Sequence, residues 1–204
     1  GPAGIDYLIM ESTYGDRERA DLAGAARRAL LAKELNDAHR AGGPLLIPAF
    51  AVERSQELLA DILTLMDERQ VPPADIFLDS PLAIEATEIF QRRGWNHATG
   101  SNPFAHLINT GRLKFLRGPG ESDRLESLSG WHIVMAASGM CDAGRVRKHL
   151  KRLLWKRQAT ILLSGYQAAG TLGRILQEGA QRVSIQGEDI QVHARIRALD
   201  VYSG

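Results

Sequence analysis

The sequence predicts an α/β fold with a mainly parallel sheet and helices on both faces, in a Rossmann-like three-layer arrangement. Five short runs rich in branched apolar residues alternate with helical patterns along the chain. The runs are hydrophobic almost without interruption, which is typical of strands buried on both faces of a parallel sheet. Alternation of strands and helices places the connecting helices over both faces of such a sheet.

The apolar runs are the predicted strands, which in chain order are residues 5–10, 44–49, 75–78, 131–137 and 159–163. The first helix signal is an alanine-rich stretch that stops at Gly42-Gly43. In the second, apolar residues recur at helical spacing after Glu53, and in the third Ser80 is an N-cap before Pro81. The predicted helices are residues 22–41, 53–69, 81–93, 145–155 and 171–177.

Two stretches break this alternation. Residues 94–130 are rich in glycine and proline and are predicted to be surface loops with short elements. Residues 182–202 alternate between polar and apolar and contain Gln186-Gly187, which predicts a hairpin followed by a further strand. The chain has no internal repeat and no low-complexity linker, so a single domain over residues 1–204 is expected.

Composition bounds the class of protein. The 204 residues are 44% hydrophobic and 24% charged, which excludes disorder, collagen and a coiled coil. With 25 Lys and Arg against 24 Asp and Glu, the net charge of +1 excludes nucleic-acid binding by bulk charge alone, although a local basic face remains open. No apolar run approaches the roughly 18 residues of a membrane-spanning helix, so we expect a cytoplasmic protein without a membrane partner. A predicted strand begins at residue 5 and an alternating stretch ends the chain, which indicates an excised domain.

The metal-ligating residue types are sparse. Cys141 is the single cysteine, which excludes a disulfide scaffold and a cysteine-rich zinc site. The six histidines show no pair at i,i+2 or i,i+4 spacing, so no two of them share one strand face or helix turn. We therefore expect no complete metal site within the chain.

Two glycine-rich loops follow predicted strands. Residues 164–173 lead from a strand into a helix, a geometry that can cradle an anion because free helix N–H groups point into it. Residues 138–144 form a second loop of this kind. Thr171 occupies the position where a P-loop needs lysine, and the dinucleotide pattern GxGxxG is also absent. Tight turns alone explain the glycines equally well.

The predicted helix after the second loop is strongly basic. Seven cations lie between Arg145 and Arg157, most of them opposite an apolar stripe, and Trp155 lies on the cationic side with His149 at its edge. The pattern fits a solvated basic face, or a contact with a partner domain or a stacked base.

Two carboxylates directly follow or end predicted strands. Glu11 is a candidate catalytic residue or a turn residue, whereas Asp79 is typical of the residues that precede a helix.

Five segments in order resemble the β-CASP domain of metallo-β-lactamase-fold RNA-processing nucleases, the family of the pre-mRNA 3′-end cleavage subunit and ribonuclease J. They are residues 9–15 (IMESTYG), 46–59 (LIPAFAVERSQELL), 77–83 (FLDSPLA), 137–146 (ASGMCDAGRV) and 165–174 (GYQAAGTLGR). The resemblance covers nearly the whole chain and implies a domain inserted into a zinc-dependent metallo-β-lactamase domain. The flanking halves of that domain would lie outside this chain.

The resemblance also implies a function. The parent protein would be a zinc-dependent hydrolase of RNA phosphodiesters, with zinc ligands and the acid histidine outside this chain and Glu11 orienting that histidine. The fragment itself would hold no zinc and would be inactive. The residues expected to bind RNA are Arg54, Ser138, Gly139, Gly165, Gln167, Gly170 and Thr171. Two alternatives remain: a non-catalytic RNA-binding or scaffolding relative, and an independent nucleotide- or phosphoester-binding domain that uses the 164–173 loop.

Overall fold

Six parallel strands form one sheet in the order β3-β2-β4-β1-β5-β8. The computed structural model describes residues 4, 6–10, 12, 15, 24–93 and 111–202. The strands of the sheet are β1 (Leu45–Pro48), β2 (Ile76–Asp79), β3 (Leu113–Phe115), β4 (Ile133–Ala136), β5 (Thr160–Leu163) and β8 (Arg195–Ala198). Every neighbouring pair in the sheet is parallel, and this confirms the predicted fold class.

Helices cover both faces of the sheet because successive strand residues point to opposite sides. Leu45 and Ile47 of β1 pack into one core with the first three helices, whereas Leu46 packs into a second core with the later helices. The first three helices are α1 (Gly24–Ala41), α2 (Arg54–Asp67) and α3 (Pro81–Arg93). The later ones are α4 (Pro119–Asp123), a 3₁₀ turn (Arg124–Ser127), α5 (Val146–Leu153) and α6 (Leu172–Gln177).

The final part of the chain forms the predicted hairpin and strand. Strands β6 (Arg182–Ile185) and β7 (Glu188–Gln191) pair antiparallel around Gln186 and Gly187, both of which have positive φ. A two-residue turn with positive φ at both positions suits the twist of a hairpin, and glycine adopts it without steric cost. Strand β8 then returns to the main sheet beside β5.

One prediction about strands was wrong. The described residues 6–10 form no strand, and the side chains of Tyr7, Leu8, Ile9 and Met10 are exposed. An apolar run becomes a strand only where a neighbouring strand or a core is available to it, and the described residues offer neither to this run. Strand β3 is a short element within the stretch predicted to be surface loops with short elements, of which residues 94–110 lie outside the described part. None of the described helices is long and apolar enough to cross a membrane.

Candidate functional site at the carboxyl edge of the sheet

The loops that follow the parallel strands meet at one edge of the sheet, here called the carboxyl edge. Ligands of α/β proteins bind at this edge because the strand ends and helix N-termini converge there. The seven residues expected to bind RNA all lie in loops or at helix starts of this edge: Arg54 after β1, Ser138 and Gly139 after β4, and Gly165, Gln167, Gly170 and Thr171 after β5. Glu11, the predicted catalytic residue, lies outside the described residues.

Arg54 lies at the carboxyl edge, directly after a strained turn centred on Glu53. Glu53 has φ 65° and ψ −62°, and the Arg54 N–H donates to the carbonyl of Val52 at 2.8 Å. These values define a γ-turn of the rare hand, which costs of the order of 1–3 kcal/mol and persists only where the surroundings hold it. The turn aims the Arg54 side chain into the protein, where only 5% of the residue is exposed.

The Arg54 guanidinium fastens the ends of two strands. Its Nη1 donates to the carbonyl of Ser164, directly after β5, at 2.7 Å. The same nitrogen donates to the carbonyl of Tyr202, which follows β8. Arg54 therefore holds the carboxyl ends of β5 and β8 against the start of α2, and its role in contacting RNA stays a prediction.

Tyr202 is the largest fully buried side chain of the described residues. Its hydroxyl donates to Oδ2 of Asp61 at 2.9 Å, and Nε of Arg27 donates to the same oxygen at 2.9 Å. Burial and the neighbouring Asp61 carboxylate raise the pKa of Tyr202. Sequence reasoning missed Tyr202 and Asp61, although a carboxylate between Leu58 and Leu65 on the apolar stripe of α2 was an available signal.

The two glycine-rich loops touch each other directly. Nε2 of Gln167 donates to the carbonyl of Gly139 at 3.1 Å and to that of Gly165 at 3.0 Å. The Gly173 N–H donates to the carbonyl of Met140 at 2.9 Å. The pairing brings the predicted residues of both loops into one wall of the carboxyl edge, and the amide of Gln167 holds that wall together.

The N–H groups at the start of α6 are already bonded within the chain. Leu172 donates to Oδ1 of Asp142 at 2.8 Å, and Arg174 donates to the Thr171 hydroxyl at 3.3 Å. A helix N-terminus attracts anions, and here the Asp142 carboxylate of the neighbouring loop takes that place. Thr171 is the N-cap of α6, and a phosphate at this helix would have to displace Asp142.

A buried polar network lies behind the loop that follows β2. Asp79 is fully buried and accepts hydrogen bonds from the Ser122 hydroxyl at 2.6 Å and from Nη1 of Arg145 at 2.7 Å. Nε2 of His149 lies 2.6 Å from the same carboxylate. Burial by itself raises the pKa of Asp79, but the hydrogen bonds from His149, Ser122 and Arg145 outweigh it and hold the pKa below its usual range.

The hydrogen-bond partners of His149 determine which ring nitrogen carries the proton. Nη2 of Arg152 lies 3.1 Å from Nδ1 of His149, and a guanidinium only donates, so Nδ1 is the acceptor. The proton is therefore on Nε2, which donates to Asp79, and the ring is neutral. Burial lowers the pKa of His149, in agreement with a neutral ring. The prediction that His149 lies at the edge of the basic face was wrong, because the side chain is fully buried.

These residues do not fit a metal ion. Over the described ranges there is no group of three or more His, Cys, Asp or Glu side chains that could hold one. The pair most similar to a metal site, Asp79 with His149, is flanked by the guanidinium groups of Arg145 and Arg152. These guanidinium groups lie 2.7 Å from Asp79 and 3.1 Å from His149, so their positive charges would repel a metal cation bound there.

Three of the seven cations between Arg145 and Arg157 form ion pairs within the chain. Arg145 binds Asp79, Lys148 pairs with Asp123, and Lys151 pairs with Glu188. The predicted apolar stripe is buried, as expected of a core-facing side. Trp155 lies just past the end of α5 and is 54% exposed. The basic face therefore offers fewer free cations than its sequence indicates.

The carboxyl edge also exposes large apolar side chains. Phe50 and Val52, which follow β1, are 46% and 53% exposed, and Leu82 at the start of α3 is 57% exposed. Exposed apolar groups close to one another are typical of a surface that another domain or ligand covers.

Comparison with known proteins defines the class. The Beta-Casp domain family matches residues 55–176, which is more than half of the chain. The chain therefore belongs to the β-CASP domain family.

Three relatives show how far the similarity extends. Ribonuclease TTHA0252 of Thermus thermophilus is 33% identical over all of this chain and 47% of its own length. An RNase J-like protein of Methanocaldococcus jannaschii is 32% identical over 96% of this chain and 45% of its own length. Transcription termination factor FttA of Methanothermobacter thermautotrophicus is 29% identical over 98% of this chain and 33% of its own length. The chain thus spans half or less of the length of these relatives.

Proposed function

We propose that the chain is the β-CASP domain of a zinc-dependent nuclease that hydrolyses RNA phosphodiesters in the cytoplasm. Family membership together with relatives named as a ribonuclease and an RNase J-like protein carries the proposal. The similarity to the first of these runs through every residue of the chain, so it extends to the loops of the carboxyl edge.

The carboxyl edge is the surface that would face the catalytic domain and the RNA. Its exposed Phe50, Val52 and Leu82 side chains support a covering metallo-β-lactamase domain in the same polypeptide. The exposed apolar side chains of residues 7–10 support the same arrangement. The RNA strand would then run between the two domains, along the wall made by the 138–144 and 164–173 loops.

Within that wall the residues divide into two roles. Arg54, Gln167 and Thr171 direct their polar atoms into the chain and act as positioning residues. The backbone at Ser138, Gly165 and Gly170 would approach the RNA phosphates. Glu11 would orient the histidine that protonates the leaving oxygen, and that histidine lies outside this chain.

We propose that the zinc ligands lie outside this chain; among the described residues no group of three or more His, Cys, Asp or Glu side chains could hold a metal ion. Accordingly, the isolated 204-residue chain should bind RNA without cleaving it. The longer protein, with sequence on both sides, should cleave labelled single-stranded RNA when zinc is present and not after chelation. Glu11→Gln in that protein should abolish cleavage and keep RNA binding, whereas Glu68→Gln on exposed surface should change neither.

Two results would change the proposal. Metal-dependent cleavage by the purified 204-residue chain would show that the catalytic groups lie within it. If the longer protein bound RNA and left it intact with zinc supplied, a non-catalytic scaffolding function would replace the nuclease.

A further inference from the structure

A second groove lies at the opposite edge of the sheet, where the strands begin. It has a volume of about 340 Å³ and is formed by the turns that precede β1, β4 and β5. Its lining includes Gly43, Trp155, Lys156, Arg157 and Gln158. Strands of four residues separate this amino-edge groove from the carboxyl edge by roughly 10 Å of backbone, at about 3.3 Å per residue.

The packing of α5 leaves Trp155 in the solvent. Leu150, Leu153 and Leu154 are buried against the sheet, and the helix ends at Leu153. Trp155 follows in the turn toward β5 and lines the groove with 54% of its surface exposed. A tryptophan ring left open beside a cavity offers a flat surface for stacking, at a cost in exposed apolar area that a ligand would remove.

The charges around this ring favour an anion. Nζ of Lys156 lies 5.4 Å from the centre of the Trp155 ring, and Arg157 is exposed beside it. Neither cation has an ion pair among the described residues, in contrast to Lys148 and Lys151 of the same basic stretch. The described lining contains no carboxylate, so the local charge is positive.

The walls of the groove are held by backbone contacts. A Cβ placed on Gly43 would collide with the carbonyl of Gln158, so these two turns lie against each other without room for a side chain. The Thr160 N–H donates to the carbonyl of Pro44 at 3.0 Å and ties the same two turns together. A preformed wall lowers the ordering cost of binding.

We propose that the amino-edge groove binds one unpaired nucleotide of a single-stranded RNA, with the base stacked on Trp155 and the neighbouring phosphates on Lys156 and Arg157. An aromatic ring next to unpaired cations matches a base next to its phosphates. A duplex does not fit, because its bases expose no face to a single ring. The site is separate from the carboxyl edge, and the proposal does not depend on catalysis by the parent protein.

The test measures binding of a labelled oligouridylate to the 204-residue chain by fluorescence anisotropy at several salt concentrations. Trp155→Ala should weaken binding about tenfold, and Trp155→Phe should weaken it less because a ring remains. Lys156→Ala with Arg157→Ala should reduce the slope of log affinity against log salt by roughly 0.7 for each lost phosphate contact. Matched controls are Lys33→Ala on exposed α1 and Ile89→Ala on exposed α3, which should bind as the unchanged chain does.

Two further readouts locate the contact. RNA should quench tryptophan fluorescence in the unchanged chain, and most of that quenching should be absent from Trp155→Phe. A duplex of the same length should compete much more weakly than the single strand. Unchanged affinity and salt slope in the Trp155 and Lys156/Arg157 variants, with far-ultraviolet circular dichroism showing them folded, would overturn the proposal. Equal competition by the duplex would overturn it as well.

Discussion

Acidification from about pH 7.5 to about pH 5 should destabilise the protein through His149. The ring is neutral in the folded chain, between Asp79 and Arg152, and burial holds its pKa below the ordinary value of 6.5. In the unfolded chain His149 takes up a proton as the pH falls through that ordinary value. The unfolded state then binds more protons than the folded state, so the stability present above about pH 6.5 is lost as the pH decreases.

The loss in the free energy of unfolding is set by the single proton that His149 takes up in the unfolded chain. A difference of one bound proton changes the free energy of unfolding by about 1.4 kcal/mol per pH unit. Between about pH 6.5 and about pH 5 one histidine that stays neutral when folded therefore removes up to about 2 kcal/mol. Burial also lowers the pKa of His132, which adds a loss in the same direction. The lowered pKa of Asp79 acts below its ordinary value of 3.8, outside this interval.

Urea unfolding at a series of pH values measures this loss. His149→Gln keeps an amide that can donate to Asp79 but cannot take up a proton, so its pH-dependent loss should be smaller than that of the unchanged chain by up to about 2 kcal/mol. His193→Gln, in the exposed turn after β7, is the matched control and should follow the unchanged chain. The reasoning is refuted if His149→Gln loses as much stability on acidification as the unchanged protein.

Three further predictions concern single residues. Arg54→Ala should lower the free energy of unfolding by about 3 kcal/mol in urea titrations, because two buried carbonyls lose a charged donor; a loss below about 1 kcal/mol would contradict the anchoring role. Gly144→Ala should cost about 1–3 kcal/mol because its φ is 74° and a Cβ would collide with the Ala137 carbonyl, whereas Gly118→Ala, with open space around it, should be nearly neutral. Burial raises the pKa of the Cys141 thiol to about 12, so a thiol reagent at about pH 8 should react with it only after unfolding in urea; reaction in the native protein would show that the side chain is accessible.

The centre of the fold could be predicted because its strands satisfy one simple condition. All four residues of β1, β2, β4 and β5 are buried, and apart from Asp79 at the end of β2 and Thr160 at the start of β5 they are apolar, so these strands stand out from the helices between them. The three residues of β3 form an edge strand with one exposed position, in a stretch that holds six glycines and two prolines between residues 94 and 130. The prediction of a strand over residues 5–10 was wrong because apolar character alone does not provide a pairing partner.

The positions of the candidate site could be predicted, but its internal contacts could not. Strand order places the ends of β1, β4 and β5 side by side, so the loops that follow them had to meet at one edge. The contacts that decide what each side chain does join residues far apart in sequence. Arg54 reaches the carbonyl of Tyr202, and His149 reaches Asp79 across seventy positions. Nothing in local spacing distinguishes such a buried partner from an exposed one.

The loop before α6 shows why a glycine-rich sequence alone does not define an anion site. The sequence after β5 has the features of a phosphate cradle, which are a strand end, flexible glycines and a helix start. The Leu172 N–H at this helix start donates to the carboxylate of Asp142, thirty residues earlier, and the N–H groups of Gly173 and Arg174 are also bonded within the chain. Removing that carboxylate by Asp142→Ala frees the N–H group for an external anion and at the same time takes a stabilising charge from the start of α6. The attraction of this helix start for an external anion therefore depends on a residue in a different strand connection.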